Sequence, residues 1–193
     1  KYDIPFSDIY LLEVRNAEWT PKQCSEFGNF MRFLIQWLYK FFNGDAEQIC
    51  NFILSRGFNI LQNPFTTTSR GLGCSIQSTI TVRAGDLTIV PCHRLSYEEF
   101  YGGKFIVNDD RISGIVGYNV PTYILIKSFD ADTLPFCETC YVKHLCQKGC
   151  LGSQYETNKD MFTPIPTVCR LQHVKIASII DELKKIGVLG MIF

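Results

Sequence analysis

At 193 residues, with 46% hydrophobic and 20% charged side chains, the chain has the composition of one folded domain, or of one domain and part of another. Lysine plus arginine and aspartate plus glutamate each total 19, so the net charge is zero and there is no basic field to hold nucleic acid through its phosphates. The nine cysteines depart from the average, and their number is odd.

The opening residues, Lys1 through Asp3 to Ser7, do not read as a signal peptide. Residues 8–15 (Asp-Ile-Tyr-Leu-Leu-Glu-Val-Arg) suit a strand buried on both faces, as in a parallel sheet. Glu13, Arg15 and Asn16 would then sit at a strand end, where active-site groups gather in barrel folds, although a plain salt bridge explains them equally well. Thr20-Pro21 is an N-cap followed by proline at the first helical position, which predicts a helix over 21–42 that ends at Asn43-Gly44-Asp45. Its most apolar part, Phe30 to Phe42, carries a polar stripe of Asn29, Arg32, Gln36, Lys40 and Asn43. That pattern describes an amphipathic helix docked on a core rather than a bilayer span. No membrane partner is expected, and the expected location is cytoplasmic. A second helix is predicted from Ala46 to Ser55, and a boundary between Leu61 and Gly71, around Asn63-Pro64 and the Thr66–Ser69 run.

Beyond the boundary the pattern changes to alternation. Ser78–Arg83, the turn Ala84-Gly85-Asp86 and Leu87–Val90 predict a hairpin, with Cys74 before it and Cys92 after it. Short strands are expected over 100–130, separated by Gly102-Gly103, Asp109-Asp110 and Pro121. Residues 134–169 read as loop and hold five cysteines. The last helix is predicted over Leu171–Ile186, with Val174, Ile176, Ile179, Ile180, Leu183 and Ile186 mostly on one face, an Asp181–Lys185 pair, and Gly187 as its cap. There are no internal repeats.

The cysteines carry the chemistry. Four form Cys137-x2-Cys140-x5-Cys146-x3-Cys150, with Cys169 beyond and Cys74 and Cys92 before. Thiolates two or three residues apart in a loop can converge on one metal centre, and Gly149 lets the backbone approach it closely. Disulfides would need an extracellular setting and are commonest in chains of under about 100 residues. Zinc remains an alternative, but two closed zinc sites need eight thiolates or added histidines, and His93, His144 and His173 are the only three. Cys24 and Cys50 fall in predicted helices and read as buried structural thiols. His144 reads as solvent-facing, Tyr97 and Tyr101 as packing groups, and His93 as either a surface group near the centre or a ligand. No residue is singled out as catalytic.

A cysteine, a glycine-bearing hairpin, a second cysteine, C-x2-C-x5-C-x3-C and a last cysteine together resemble the seven-cysteine motif of the SPASM domain. That domain forms the C-terminal part of many radical S-adenosylmethionine enzymes. The run Thr88 to Tyr97 around Pro91-Cys92, followed by Gly102-Gly103-Lys104, adds to the likeness, which covers residues 74–169. Phe27-Gly28-Asn29-Phe30 through Trp37 also resembles the last barrel helix of the linked radical enzyme.

The resemblance implies an α+β chain in two parts. Residues 1–65 would close a partial (β/α) radical-enzyme barrel, and 66–193 would form a SPASM domain of β-hairpin, cysteine-rich loops and C-terminal helix. It implies two auxiliary [4Fe–4S] clusters, the first on Cys74, Cys92 and Cys150, the second on Cys137, Cys140, Cys146 and Cys169. The C-x3-C-x2-C motif that binds the third cluster and S-adenosylmethionine is missing: Ser153 stands where its last cysteine would fall after Cys146 and Cys150. The expectation is therefore the auxiliary, substrate-binding portion of an oxidoreductase that modifies a peptide or protein, inactive alone and served by an electron donor. Thioether formation in a ribosomal peptide is the favoured subtype. The alternative is a non-catalytic zinc- or cluster-binding interaction module.

Three departures from the pattern stand out. Six residues rather than four separate Gly85 from Cys92, which predicts a bulge or another residue in the glycine's part. No eighth cysteine is present for the first cluster, leaving an open iron or a ligand from His93, Ser75 or a substrate. His93 stands where sulfatase-maturing relatives have an aspartate.

Overall fold

The computed structural model describes residues 18–54, 75–146 and 148–191. The strand expected over 8–15 with Glu13, Arg15 and Asn16, the boundary between Leu61 and Gly71, and Cys74 lie outside them. The described chain is α+β: six helices and one four-stranded antiparallel sheet.

Helix α1 spans Pro21–Phe41 and begins as its sequence dictates. Thr20 Oγ1 accepts from the Gln23 N–H at 3.3 Å while Gln23 Oε1 accepts from the Thr20 N–H at 2.9 Å, closing a capping box. At the far end Asn43 and Gly44 turn left-handed (φ 51° and 78°), and the Gly44 N–H returns to Tyr39 O at 2.8 Å. One face buries Cys24, Gly28, Met31, Leu34, Ile35 and Leu38, a spacing of three and four residues. α2 (Ala46–Leu54) adds Ile49, Cys50 and Ile53 to the same core.

The partner of α1 is the last helix, α6 (Pro166–Lys185), which contributes Ile176, Ile179 and Leu183. Gly28 marks the close approach: a Cβ there would lie 2.8 Å from Ser178 Oγ and 3.1 Å from Val174 Cγ1. Polar contacts fix the register across the pair. Gln36 Nε2 donates to Glu182 Oε1 at 2.8 Å, and this bond, helped by Lys185, holds the buried Glu182 carboxyl below its ordinary value. The expected Asp181–Lys185 pair does not form. Asp181 instead faces Arg32 of α1 at 3.5 Å, and Lys185 pairs with Glu182 at 3.3 Å, because the packing of the helices turns Asp181 toward its neighbour. α6 also starts earlier than Leu171, since Pro166 occupies its first position with a preset φ and no N–H to satisfy. Gly187 (φ 76°) ends it as expected.

The sheet has strand order β1-β2-β3-β4, each pair antiparallel. β1 (Thr81–Arg83) and β2 (Thr88–Val90) pair regularly from Thr81↔Val90 to Arg83↔Thr88, so the longer spacing from Gly85 to Cys92 introduces no bulge there. The extra length goes into the turn: Leu87 takes a φ of 60°, and the Asp86 carboxylate accepts from Arg83 Nε at 2.8 Å and Thr88 Oγ1 at 2.7 Å. The irregularity falls instead between Ile106 and Val107, in the hairpin of β3 (Gly103–Asn108) and β4 (Arg111–Gly117). Asp109 and Asp110 form its tip with φ of 50° and 59°, the pattern of a primed two-residue turn. Ile106, Val107, Ile112, Ile115 and Val116 of this hairpin are exposed.

Past the hairpin the strand expected around Pro121 is replaced by α3 (Val120–Ser128), where proline again opens a helix. The stretch expected to be loop contains α4 (Pro135–Glu138) and α5 (Leu151–Asn158). A second core of Ile76, Leu95, Phe100, Ile126, Ala131, Leu151 and Met161 lies between the sheet side and α5. None of the described helices is long and apolar enough to cross a membrane.

Gly28→Leu should force α1 away from α6 and cost about 1–3 kcal/mol, as overpacking does. A urea melt followed by circular dichroism measures the shift in midpoint, and an unchanged midpoint would refute the close approach.

Candidate metal centre

Cys137 stands in α4, directly after the turn Ala131–Thr133. The chain then doubles back: the Cys140 N–H donates to Cys137 O at 3.1 Å and the Cys146 N–H to Val142 O at 3.0 Å. Between them Val142 and Leu145 are buried in the α1–α6 core, so apolar anchors hold the five-residue loop in place. Cys169 arrives from the other side, in the first turn of α6, its N–H donating to Ile165 O at 3.0 Å. This corrects the expectation that residues 134–169 are loop as far as Cys169. A helix delivers it.

These four thiols line one cavity of about 740 Å³, to which Cys150 also contributes. Burial pushes the Cys169 thiol up to about 11, and Cys146, Cys137 and Cys140 add to the shift through their own charge. Burial likewise raises Cys146, against the opposing pull of Lys148, whose backbone N–H donates to Cys146 Sγ at 3.3 Å. Cys137 is raised by burial and eased by the Lys148 charge. One turn beyond Cys169, His173 Nε2 lies 3.3 Å from Cys140 Sγ. The Ser153 hydroxyl, buried on the same cavity wall, has no hydrogen-bond partner among the described residues.

The segments that carry Cys92 and Cys150 are joined by a different route. Cys92 sits in a turn after β2, closed by the Leu95 N–H to Cys92 O at 3.2 Å. Arg94 of this turn pairs with Glu156 of α5. Gly152 makes the contact possible, since a Cβ there would lie 2.6 Å from Arg94 Cβ. Leu95 and Leu151 share the second core, with Cys92 packed against it. Cys150 is the residue that caps α5, so the Cys92 turn and Cys150 lie on neighbouring segments. Lys127 Nζ steadies the approach, donating to Pro91 O at 3.0 Å and to the carbonyls of Ile76 and Thr79.

Of the described cysteines, Cys137, Cys140, Cys146, Cys150 and Cys169 line the cavity, while Cys92 packs against the second core, which also holds Leu151 next to Cys150. Among the described residues no three histidine, cysteine, aspartate or glutamate side chains converge on a point that would hold a single metal ion. Cys24 and Cys50 are buried in α1 and α2 and do not line the cavity. His93 and His144 are exposed. Tyr97 packs with Phe100 and Tyr155, and Tyr101 lies under the Arg83 guanidinium, 4.9 Å from ring centre. Sequence reasoning passed over His173, Lys127, Lys148 and Asp132. His173 follows Cys169 by four residues, a signal that becomes legible once the helix is started at Pro166. Comparison with protein-family models, curated proteins and solved structures found no match to this chain.

With its thiol raised to about 11, Cys169 should alkylate with iodoacetamide more slowly at pH 8 than a cysteine in a short peptide. Its rate should still climb between pH 10 and 11, where the peptide, with an ordinary thiol near about 8.5, has nearly levelled off. Peptide mass spectrometry of the labelled chain reads both rates, and equal rates at pH 8 would count against the buried thiol group.

Proposed function

We infer that this chain is the auxiliary cluster-binding and substrate-binding portion of a radical S-adenosylmethionine enzyme that modifies a peptide or protein. The observation that carries the reading is the gathering of Cys137, Cys140, Cys146 and Cys169 around one cavity, with Cys150 on its wall. The shared cavity fits the four-cysteine set that the resemblance to SPASM domains implies for the second cluster, and the Cys92 turn lying against α5, which Cys150 caps, is compatible with the set implied for the first. A cavity of about 740 Å³ has room for a polynuclear centre. A lone zinc ion, with Zn–S distances of about 2.3 Å, would instead draw four sulfurs nearly into contact. Soft thiol donors and a scarcity of carboxylates on the wall suit iron and sulfide.

When bound, such clusters accept or relay single electrons, and an iron without a protein thiolate can take a substrate thiolate. The protein's own part is to hold and shield. Val142, Leu145 and Ile176 keep water from one side, and Leu151 and Leu95 from the other. Lys148 and Lys175 place positive charge near Cys146.

Anaerobic reconstitution with ferrous iron and sulfide should give about eight iron and eight acid-labile sulfide per chain, with brown thiolate-to-iron absorption. Zinc uptake without labile sulfide would overturn the reading in favour of a non-catalytic module. Cys140→Ala and Cys169→Ala should each lose about half of the iron and lower the melting temperature, because metal binding is coupled to folding. A full iron complement with unchanged melting in either variant would remove both residues from the ligand set. Gly152→Val, which drives the Cys92 turn off α5, should lose the other half of the iron while Cys137, Cys140, Cys146 and Cys169 keep theirs. Loss of all the iron, or of none, would contradict the division into two groups.

A further inference from the structure

Lys148 is a lysine in a place that lysine seldom occupies. Its side chain is only 3% exposed, and its backbone is left-handed at φ 59°, a region that residues other than glycine seldom adopt. Two consequences follow from that conformation. The N–H turns onto Cys146 Sγ at 3.3 Å, and the side chain runs back into the cavity wall beside the thiols. There Nζ pairs with Asp132 Oδ1 at 2.7 Å and donates to Lys143 O. The pair is unequal in its surroundings, since Asp132 is 46% exposed. The paired Oδ1 is buried, but Lys148 lines the cavity and Asp132 does not, so the positive end of the pair is the one that faces the thiols.

We propose that Lys148 sets the electron affinity of the centre held by Cys137, Cys140, Cys146 and Cys169. The inference rests on the cluster reading above. A sulfide cluster on four thiolates carries net negative charge, and taking up one electron adds to it. A fixed buried cation, with an N–H aimed at one ligand sulfur, stabilises the more negative state more than the less negative one. Lys148 therefore biases this centre toward the reduced form. Lys175, also buried and acting on Cys146, adds to the same field from α6. Lys143 and Arg170 stand on the cavity wall too, but they are more exposed than Lys148. A purely structural lysine, one that only ties the Cys146–Cys150 link to Asp132, would leave the electron affinity unmoved when its charge is removed.

The test uses the full chain reconstituted with ferrous iron and sulfide, in a Cys92→Ala background that leaves this centre alone. Dithionite with mediator dyes supplies one electron per centre, the dye is oxidised as the centre is reduced, and electron paramagnetic resonance reads the reduced fraction. Lys148→Met should lower the ratio of reduced to oxidised centre at a fixed potential by about tenfold, equivalent to about 59 mV for a one-electron couple. Lys148→Arg should stay close to the parent. Asp132→Asn should move the ratio the other way, because it removes the opposing charge. A Met variant that loads iron but titrates with the parent would overturn the inference, as would an Asn variant that shifts in the same direction as Met. Should Lys148→Met not load, Lys148→Gln, which keeps donors for Asp132 and the Lys143 carbonyl but carries no charge, decides instead: a loss of reduced centre upholds the role, and titration with the parent refutes it. Failure of the parent chain to take up iron and sulfide is a different result, and it strikes the cluster reading rather than Lys148.

Discussion

The packing of α1 on α6 is the constraint from which the cysteine region takes its shape. Leu38, Ile35 and Met31 on one helix and Ile176, Ile179 and Leu183 on the other are almost wholly buried. Each such side chain contributes about 1.5–3 kcal/mol by leaving water. Val142 and Leu145 join that core from the cysteine loop, which has little regular structure of its own. The loop is held by what it buries rather than by a ladder of hydrogen bonds. Because α6 begins at Pro166, its first turn extends past the core and brings Cys169 and His173 to the same cavity.

A second core does the same for the other side. Leu95, Leu151 and Ile126 bring the turn after β2, the start of α5 and the end of α3 together. Cys140 and Cys146 pack against the first core, and Cys92 and the residue after Cys150 against the second, so the cysteines are tied to two different apolar anchors. Loss of packing in one core can therefore disturb one group and leave the other. Such separability would be absent if all the ligands sat in a single loop.

Much of this was legible in the residues. Thr20-Pro21 and Gln23 announce the start of α1, Asn43-Gly44 its end, and Gly187 the end of α6. The alternation around Gly85 and the Asp109-Asp110 pair mark both hairpins, and the cysteine spacing singles out the candidate centre. What escaped has a common physical cause. Pro121 and Pro166 look like breakers until the position on their C-terminal side is recognised as helical, where the missing N–H costs nothing. The start of α6 hides the i,i+4 relation of Cys169 and His173. Asp181 and Arg32 are 149 residues apart, so no local rule pairs them. Lys148 reads as a surface lysine because burial and its left-handed backbone are tertiary facts.

The link between Cys146 and Cys150 has a consequence for how such a chain can diverge. Lys148 is buried in a left-handed conformation, and a Cβ at Gly149 would come within 2.1 Å of Gln154 Oε1, so a side chain there has to displace the Gln154 amide that bonds to Met161 O. An inserted or deleted residue here would turn Lys148 outward and shift Cys150 relative to Cys146 at the same time. The tip at Asp109 and Asp110 is exposed and far less constrained, so length changes there disturb only a hairpin end. Drift in length should accordingly collect in the β3–β4 hairpin, while the four-residue step from Cys146 to Cys150 stays free of gaps.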